Sequence, residues 1–311
     1  FAALQVELDV TTVRGEAGEG EAQGIGAESG EAVRVVGAGL PGFLVEAARS
    51  ARTAFYKLVS PLDAWNRRRR GEGTLPPLWL RRHAGRVADF ERPNAAWVSM
   101  LQTHGAIDRD DLTYLDVGCG PGALALALRS RLGPRSRYVG FDVHEPSIRW
   151  CSHAFGGDRR FEFELAGVAS PYGNPAGESA LTYRFPLGDA EASAVLARSV
   201  FTHLLEPEAA HYLREVRRVL ASDGLAFISA FLFEGPGGRD EVPAFPFPNR
   251  TSHVRWRVGA RPHAGVAYSR EGFFDLVRAG NLRVLELRPG FLPGRSPQLT
   301  GQDLIVLSPF A

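Results

Sequence analysis

A chain of 311 residues that is 44% hydrophobic, with a formal net charge of +1, can bury a sizeable core in one large domain, alone or with a small appendage. The near-neutral charge argues against bulk nucleic-acid affinity. The longest apolar run, LAFISAFLF at 225–233, is far short of the ~20 residues a membrane span needs.

Residues 1–31 are rich in Gly and Glu with little apolar periodicity, and 14–31 are expected to stay disordered because they cannot offset their ordering entropy. No basic-then-apolar leader opens the chain. Cys119 sits in a glycine loop and Cys151 in an expected helix, which argues against a disulfide and for the reducing cytoplasm. VVGAGLPGF at 35–43 places Gly37, Gly39 and Gly42 at dinucleotide-loop spacing, but no second strand follows within a ~30-residue strand–helix–strand unit. It reads as a lead-in to an amphipathic helix at 43–59, with Phe43, Ala47, Ala51, Ala54, Phe55 and Leu58 on one face and Pro61 as its stop. An arginine run, 67–70, reads as a solvated connector, and another helix is expected over 86–105, interrupted early by Pro93. Residues 32–110 together read as a helical extension.

From 111 the pattern alternates. Strands are expected at 111–117, 136–143, 160–167, 192–201, 224–233, 282–289 and 302–309. Helices are expected at 122–132, 146–155, 207–220 and 270–280, and the face of 207–220 is formed by Ala210, Leu213, Val216 and Leu220. The alternation predicts an α/β, Rossmann-like doubly wound domain over 111–311: a mostly parallel, seven-stranded sheet with helices on both faces. Such sheets bind ligands at the carboxyl ends of their strands. A Pro- and aromatic-rich insertion at 234–268 follows the fifth strand and is a candidate substrate lid.

LDVGCGPG at 115–122 is the informative stretch. Asp116 closes a strand, and Gly118, Gly120 and Gly122 let the backbone turn and approach a ligand closely. The following helix start offers free N–H groups to an anion. Asp142, at the end of the next strand, is placed to accept the hydroxyls of a ribose. The acid just before the loop leans toward a ligand with cationic groups and no pyrophosphate.

LDVGCGPG with GFDV downstream and SVFTHL at 199–204 resembles the class I S-adenosylmethionine (SAM)-dependent methyltransferases, well over 112–233 and loosely over 270–308. The resemblance implies SAM as cofactor and S-adenosylhomocysteine (SAH) as product. Asp116, Gly118, Cys119, Gly120 and Gly122 would lie at the methionine part, Asp142 at the ribose, Val143 and His144 beside the adenine, and Ser199 and Val200 beside the transferred methyl. Two departures stand out. LAGVAS at 165–170 has no acid where the family often meets the adenine amino group, and ASDG at 221–224 replaces the usual Pro-Gly-Gly turn.

Methyl transfer needs a general base only if the acceptor must lose a proton, and His203 is the candidate because it follows the fourth strand at the cleft. Capping or packing at the start of the helix at 207 is the competing role. Tyr172 and Asn174, in SPYGNP, are candidate acceptor contacts, against a plain surface turn. Phe245, Phe247, Trp256 and Tyr268 are candidates for an apolar acceptor wall. His253 and His263 lack partners at metal-ligand spacing, so no metal is expected. The expected activity is methylation of a small molecule on O, N or C. The alternatives are a non-catalytic SAM- or SAH-binding module, and an RNA methyltransferase using the arginine run.

Overall fold

The computed structural model describes residues 42–82, 90, 92–234, 249–250, 253–256, 261–292 and 301–310. The chain divides into two compact units, Phe1–Val59 and Ser60–Ala311. Helix α1 (Gly42–Arg69) begins in the first and ends in the second. It does not stop at Pro61, which lies inside it. Proline removes one backbone bond, but the residues around it are tied to distant chain. The Ser60 hydroxyl accepts from the Leu78 N–H at 3.0 Å, and Asp63 pairs with the buried Arg81. Arg67 to Arg69, expected in a connector, form the last turn of α1. Phe55 and Leu58, expected on its buried face, are exposed.

Helix α2 (Leu78–Arg81) is a single turn. Helix α3 (Arg92–Thr103) has Pro93 in its first turn, where a missing N–H is harmless, so the proline opens this helix and does not interrupt it. The alternating region then runs β1 (Thr113–Val117), α4 (Ala123–Leu128), β2 (Arg137–Asp142), α5 (Glu145–Phe155), β3 (Phe161–Leu165), β4 (Ala192–Ala197), α6 (Glu206–Val219) and β5 (Leu220–Phe233). The insertion contributes β6 (Asn249–Arg250), β7 (Val254–Trp256) and β8 (Val266–Ser269). Helix α7 (Arg270–Ala279) and strands β9 (Leu282–Leu292) and β10 (Gln302–Pro309) finish the domain.

The sheet order is β3-β2-β1-β4-β5, with parallel pairing throughout, and β10 and β9 follow antiparallel. That is the expected seven-stranded frame. Three more strands join because β5 is long enough to change partners. Ala226–Ala230 pair with β10, and Phe231–Phe233 pair in parallel with β8, which continues to β7 and β6.

Side-chain alternation along the strands divides the core by face. Leu115, Val139, Val195, Ile228 and Ile305 pack in one cluster with α6 and α7. Tyr114, Tyr138, Leu196, Phe227 and Leu304 pack in the other with α3, α4 and Phe155 of α5. The α6 face buries Ala209, Tyr212, Leu213, Val216 and Val219, so Ala209 takes the place expected for Ala210. At the opposite end of α6, Glu215 accepts the Phe185 N–H at 2.8 Å and pairs with Arg218 at 2.6 Å, which pins the chain leading into β4. The ASDG segment is not a free turn; it lies within β5, where the pairing with β4 shifts register between Ala192 and Ala194.

Candidate active site

The carboxyl end of β1 opens into the glycine loop. Gly118, Gly120 and Gly122 take φ of 66°, 52° and 73°, the left-handed region that penalises side chains. The demands on the first two differ. A Cβ on Gly118 would lie 2.6 Å from Val200 Cγ2, so this glycine lets the segment after β4 press against the loop. A Cβ on Gly120 would meet no atom of the described residues within 4 Å. Cys119 between them is buried, its N–H donating to the Phe141 carbonyl at 3.0 Å. Helix α4 has six residues, shorter than the sequence pattern predicts.

Asp116 is buried and accepts a hydrogen bond from the Tyr138 hydroxyl. Burial raises its pKa to about 7, against the lowering effect of the Tyr138 bond and the Arg198 charge. Arg198, the first residue past β4, donates to Asn94 Oδ1 of α3 at 2.7 Å, and burial pulls its pKa down while Asp116 pulls it up. Asp116 therefore backs the loop and steadies a guanidinium. Neither Arg198 nor Asn94 stands out in the sequence, because the bond joins residues 104 positions apart.

At the end of β2 the Asp142 carboxylate accepts the Gly120 N–H and the His144 N–H, both at 2.8 Å. One acid thus couples the glycine loop to the start of α5. The His144 imidazole engages the Ser147 hydroxyl at 2.8 Å. Val143 presents its carbonyl to Gly173, where a Cβ would come within 2.0 Å, so the SPYGNP turn sits directly on the end of β2. Asn174 belongs to that turn: its carbonyl accepts the Ser170 N–H at 3.0 Å and its side chain the Ala176 N–H at 2.9 Å. The same loop returns an acid to the end of β3. Glu178 bridges Val168, and its Oε1 lies 3.6 Å from where a Gly167 side chain would begin. The acid missing from LAGVAS thus arrives eleven residues later, by loop pairing and not by strand position.

After β4, Ser199 takes a positive φ of 61°. Its N–H donates to Ser229 Oγ at 2.8 Å, and its hydroxyl receives the Gln302 amide at 2.8 Å. Ser229 donates to the same Gln302 at 2.7 Å. These bonds hold a backbone form that costs an L residue roughly 1–2 kcal/mol. A 3-10 turn, Phe201–His203, follows. His203 does not cap α6; Glu208 does so by accepting the Leu205 N–H at 2.7 Å. The His203 ring meets the Tyr172 ring edge-on at 5.0 Å, with the Tyr172 hydroxyl 3.3 Å from Nδ1, and burial lowers its pKa. Tyr172 and His203, far apart in sequence, therefore come together.

Tyr268 is a correction. Expected on an acceptor wall, it is buried in the core, and its hydroxyl donates to the carbonyls of Phe201 and Leu204. Trp256 is half-buried on β7 and packs against the core. Phe245 and Phe247 lie outside the described residues. Among the described residues no group of His, Cys, Asp and Glu is arranged to hold a metal ion, and no helix is long and apolar enough to cross a membrane.

The Gly120 backbone is thus uncrowded by the described residues on its Cβ side and donates its N–H to the Asp142 carboxylate. Residues 115–228 match the family model described as a methyltransferase domain. Among solved structures, a SAM-dependent methyltransferase from Leishmania major is similar at 11% identity and TM-score 0.50, over 72% of this chain and 75% of that one. A Burkholderia thailandensis 1,6-didemethyltoxoflavin-N1-methyltransferase, solved with 1,6-didemethyltoxoflavin and SAH bound, is similar at 18% identity and TM-score 0.49, over 89% of this chain and 94% of that one. A Clostridium acetobutylicum SAM-dependent methyltransferase is similar at 12% and 0.47, over 72% and 93%. Residues 115–228, carried on this sheet, are thus similar to a methyltransferase domain, and the fold is that of the SAM-dependent methyltransferase from Leishmania major.

Proposed function

We propose that the chain binds SAM across the carboxyl ends of β1, β2 and β4 and methylates a small molecule on oxygen, nitrogen or carbon. One observation carries the reading: Gly120, whose Cβ direction no described residue crowds, and His144 both donate their N–H groups to the Asp142 carboxylate at the ends of β1 and β2. Bound SAM supplies a methyl group already activated by its sulfonium, so the protein's work is alignment and exclusion of water. Gly118, Gly120 and Gly122 lie along the methionine end with Asp116 behind them. Asp142 takes the ribose hydroxyls, Val143 and His144 border the adenine, and Glu178 accepts from its amino group. Ser199 and Val200 border the transferred methyl. Tyr172 and Trp256 contribute to the acceptor wall. His203 takes the acceptor's proton where the acceptor has one to lose.

Calorimetry with SAM and SAH tests the reading. Micromolar binding to folded protein is expected, and its absence overturns the proposal. Methyl release with a metabolite panel then separates an enzyme from a SAM- or SAH-binding module. Methylation of RNA in place of metabolites would transfer the reading to the nucleic-acid alternative.

A further inference from the structure

His203 has a partner that its sequence neighbourhood does not reveal. The 3-10 turn Pro262–Ala264, at the end of the insertion, lies against the turn Phe201–His203, and two histidines cross-link them. His203 Nδ1 is 2.7 Å from the His263 carbonyl oxygen, and His263 Nδ1 is 3.0 Å from the His203 carbonyl oxygen. Carbonyls only accept, so each Nδ1 must carry a hydrogen. The Glu208 carboxylate, 3.4 Å from His263 Nδ1 and bonded to the Leu205 N–H, holds the second ring from the α6 side.

We propose that His263 is a positioning residue for His203: the reciprocal pair locks His203 in the Nδ1–H tautomer and so leaves its Nε2 lone pair bare. Among the described residues Nε2 of His203 has no hydrogen-bond partner, while the Tyr172 ring packs against the imidazole in an edge-type contact. Base chemistry then runs without a tautomer change. The acceptor's proton passes to Nε2, its electron pair stays on the acceptor as nucleophile, and the resulting imidazolium keeps its Nδ1–H bond to the His263 carbonyl. Burial favours the neutral ring that this requires. The inference rests on the base role given to His203 above, but it concerns the ring's state before any ligand is bound.

The test is therefore independent of methyl transfer. Two-bond nitrogen–proton correlation spectra of the full chain labelled with 15N-histidine, at about pH 8 where imidazoles are neutral, read each tautomer directly, and His203→Gln assigns the signal. Wild type is expected to show a protonated Nδ1 and a bare Nε2 at His203. His263→Asn, whose amide can donate to the His203 carbonyl as Nδ1 does, is expected to keep that pattern. His263→Ala keeps the carbonyl acceptor but loses the ring's bond to the His203 carbonyl, and as the two turns separate the Nδ1 resonance is expected to move toward the unprotonated position. An Nε2–H signal in wild type overturns the proposal even if His263→Ala fails to fold. So does a folded His263→Ala with an unchanged spectrum. Calorimetry with SAH on the same samples keeps a failed cofactor reading distinct from a failed tautomer reading.

Discussion

Replacing Gly118 or Gly120 with alanine separates what the fold demands of the loop from what the ligand demands. Both positions have positive φ, at 66° and 52°, so each alanine loses roughly 1–2 kcal/mol to backbone strain. Stiffening of the unfolded chain returns about 0.4–1 kcal/mol in both. The remainder differs. At Gly118 the new methyl lies 2.6 Å from Val200 Cγ2, and forcing a methyl into a packed site adds about 1–3 kcal/mol. At Gly120 it meets nothing. Gly118→Ala is therefore expected to lose about 2–4 kcal/mol, a fall in urea midpoint on the order of 1 M, and Gly120→Ala no more than about 1.6 kcal/mol. Val200→Ala should restore most of the steric part, so the double variant with Gly118→Ala should be more stable than the two single losses add up to. SAH binding should show the reverse order, with Gly120→Ala losing at least about tenfold, or ~1.4 kcal/mol. Equal unfolding losses at the two glycines, or no recovery from Val200→Ala, would refute the assignment of Gly118 to packing.

Three further outcomes are expected. Asp142→Ala removes the acceptor for two loop N–H groups and the ribose contact, and SAH affinity by calorimetry should fall by about 1.5–3 kcal/mol. Asp116 has its pKa raised to about 7 in the fold, so the folded state binds more protons than the unfolded one between that value and the ordinary carboxylate range. Stability should fall as pH rises across roughly 4 to 7, by on the order of a few kcal/mol from this group, and level off above. Asp116→Asn should flatten that slope in urea titrations at several pH values; an unchanged slope would place the shift elsewhere. Glu215→Ala strands the Phe185 N–H and leaves Arg218 with Asp189 and the Leu187 and Phe185 carbonyls, and should lose about 1–3 kcal/mol in urea unfolding. Glu215→Gln should lose less, and a neutral alanine variant would show that the pair is dispensable.

The frame of the domain was legible because its signals are local. Alternating and apolar runs marked the strands, and the glycine after Ala279 bounded α7, whereas the helix expected to reach residue 132 ends at Leu128. The loop at 118–122 was legible for the same reason, since a left-handed turn writes glycine directly into the sequence. What stayed hidden depends on residues that meet only after folding. Pro61 looks like a stop until Ser60 and Asp63 are seen tied to Leu78 and Arg81. Tyr268 looks like a wall residue until its hydroxyl reaches two carbonyls more than sixty residues away. Arg198 with Asn94, Glu178 beside Gly167, and His263 across from His203 are contacts between segments distant in sequence, which leave no periodicity to detect.

The divided partnership of β5 bears on how a molecule would enter or leave. Phe231–Phe233 hydrogen-bond along Ala267–Ser269 in the strand that also anchors the buried centre of the domain through Ala226–Ala230. The far end of the insertion is thus spliced into the frame. That end cannot swing aside as a flap without tearing backbone bonds from a central strand, so traffic past it must rely on side chains turning.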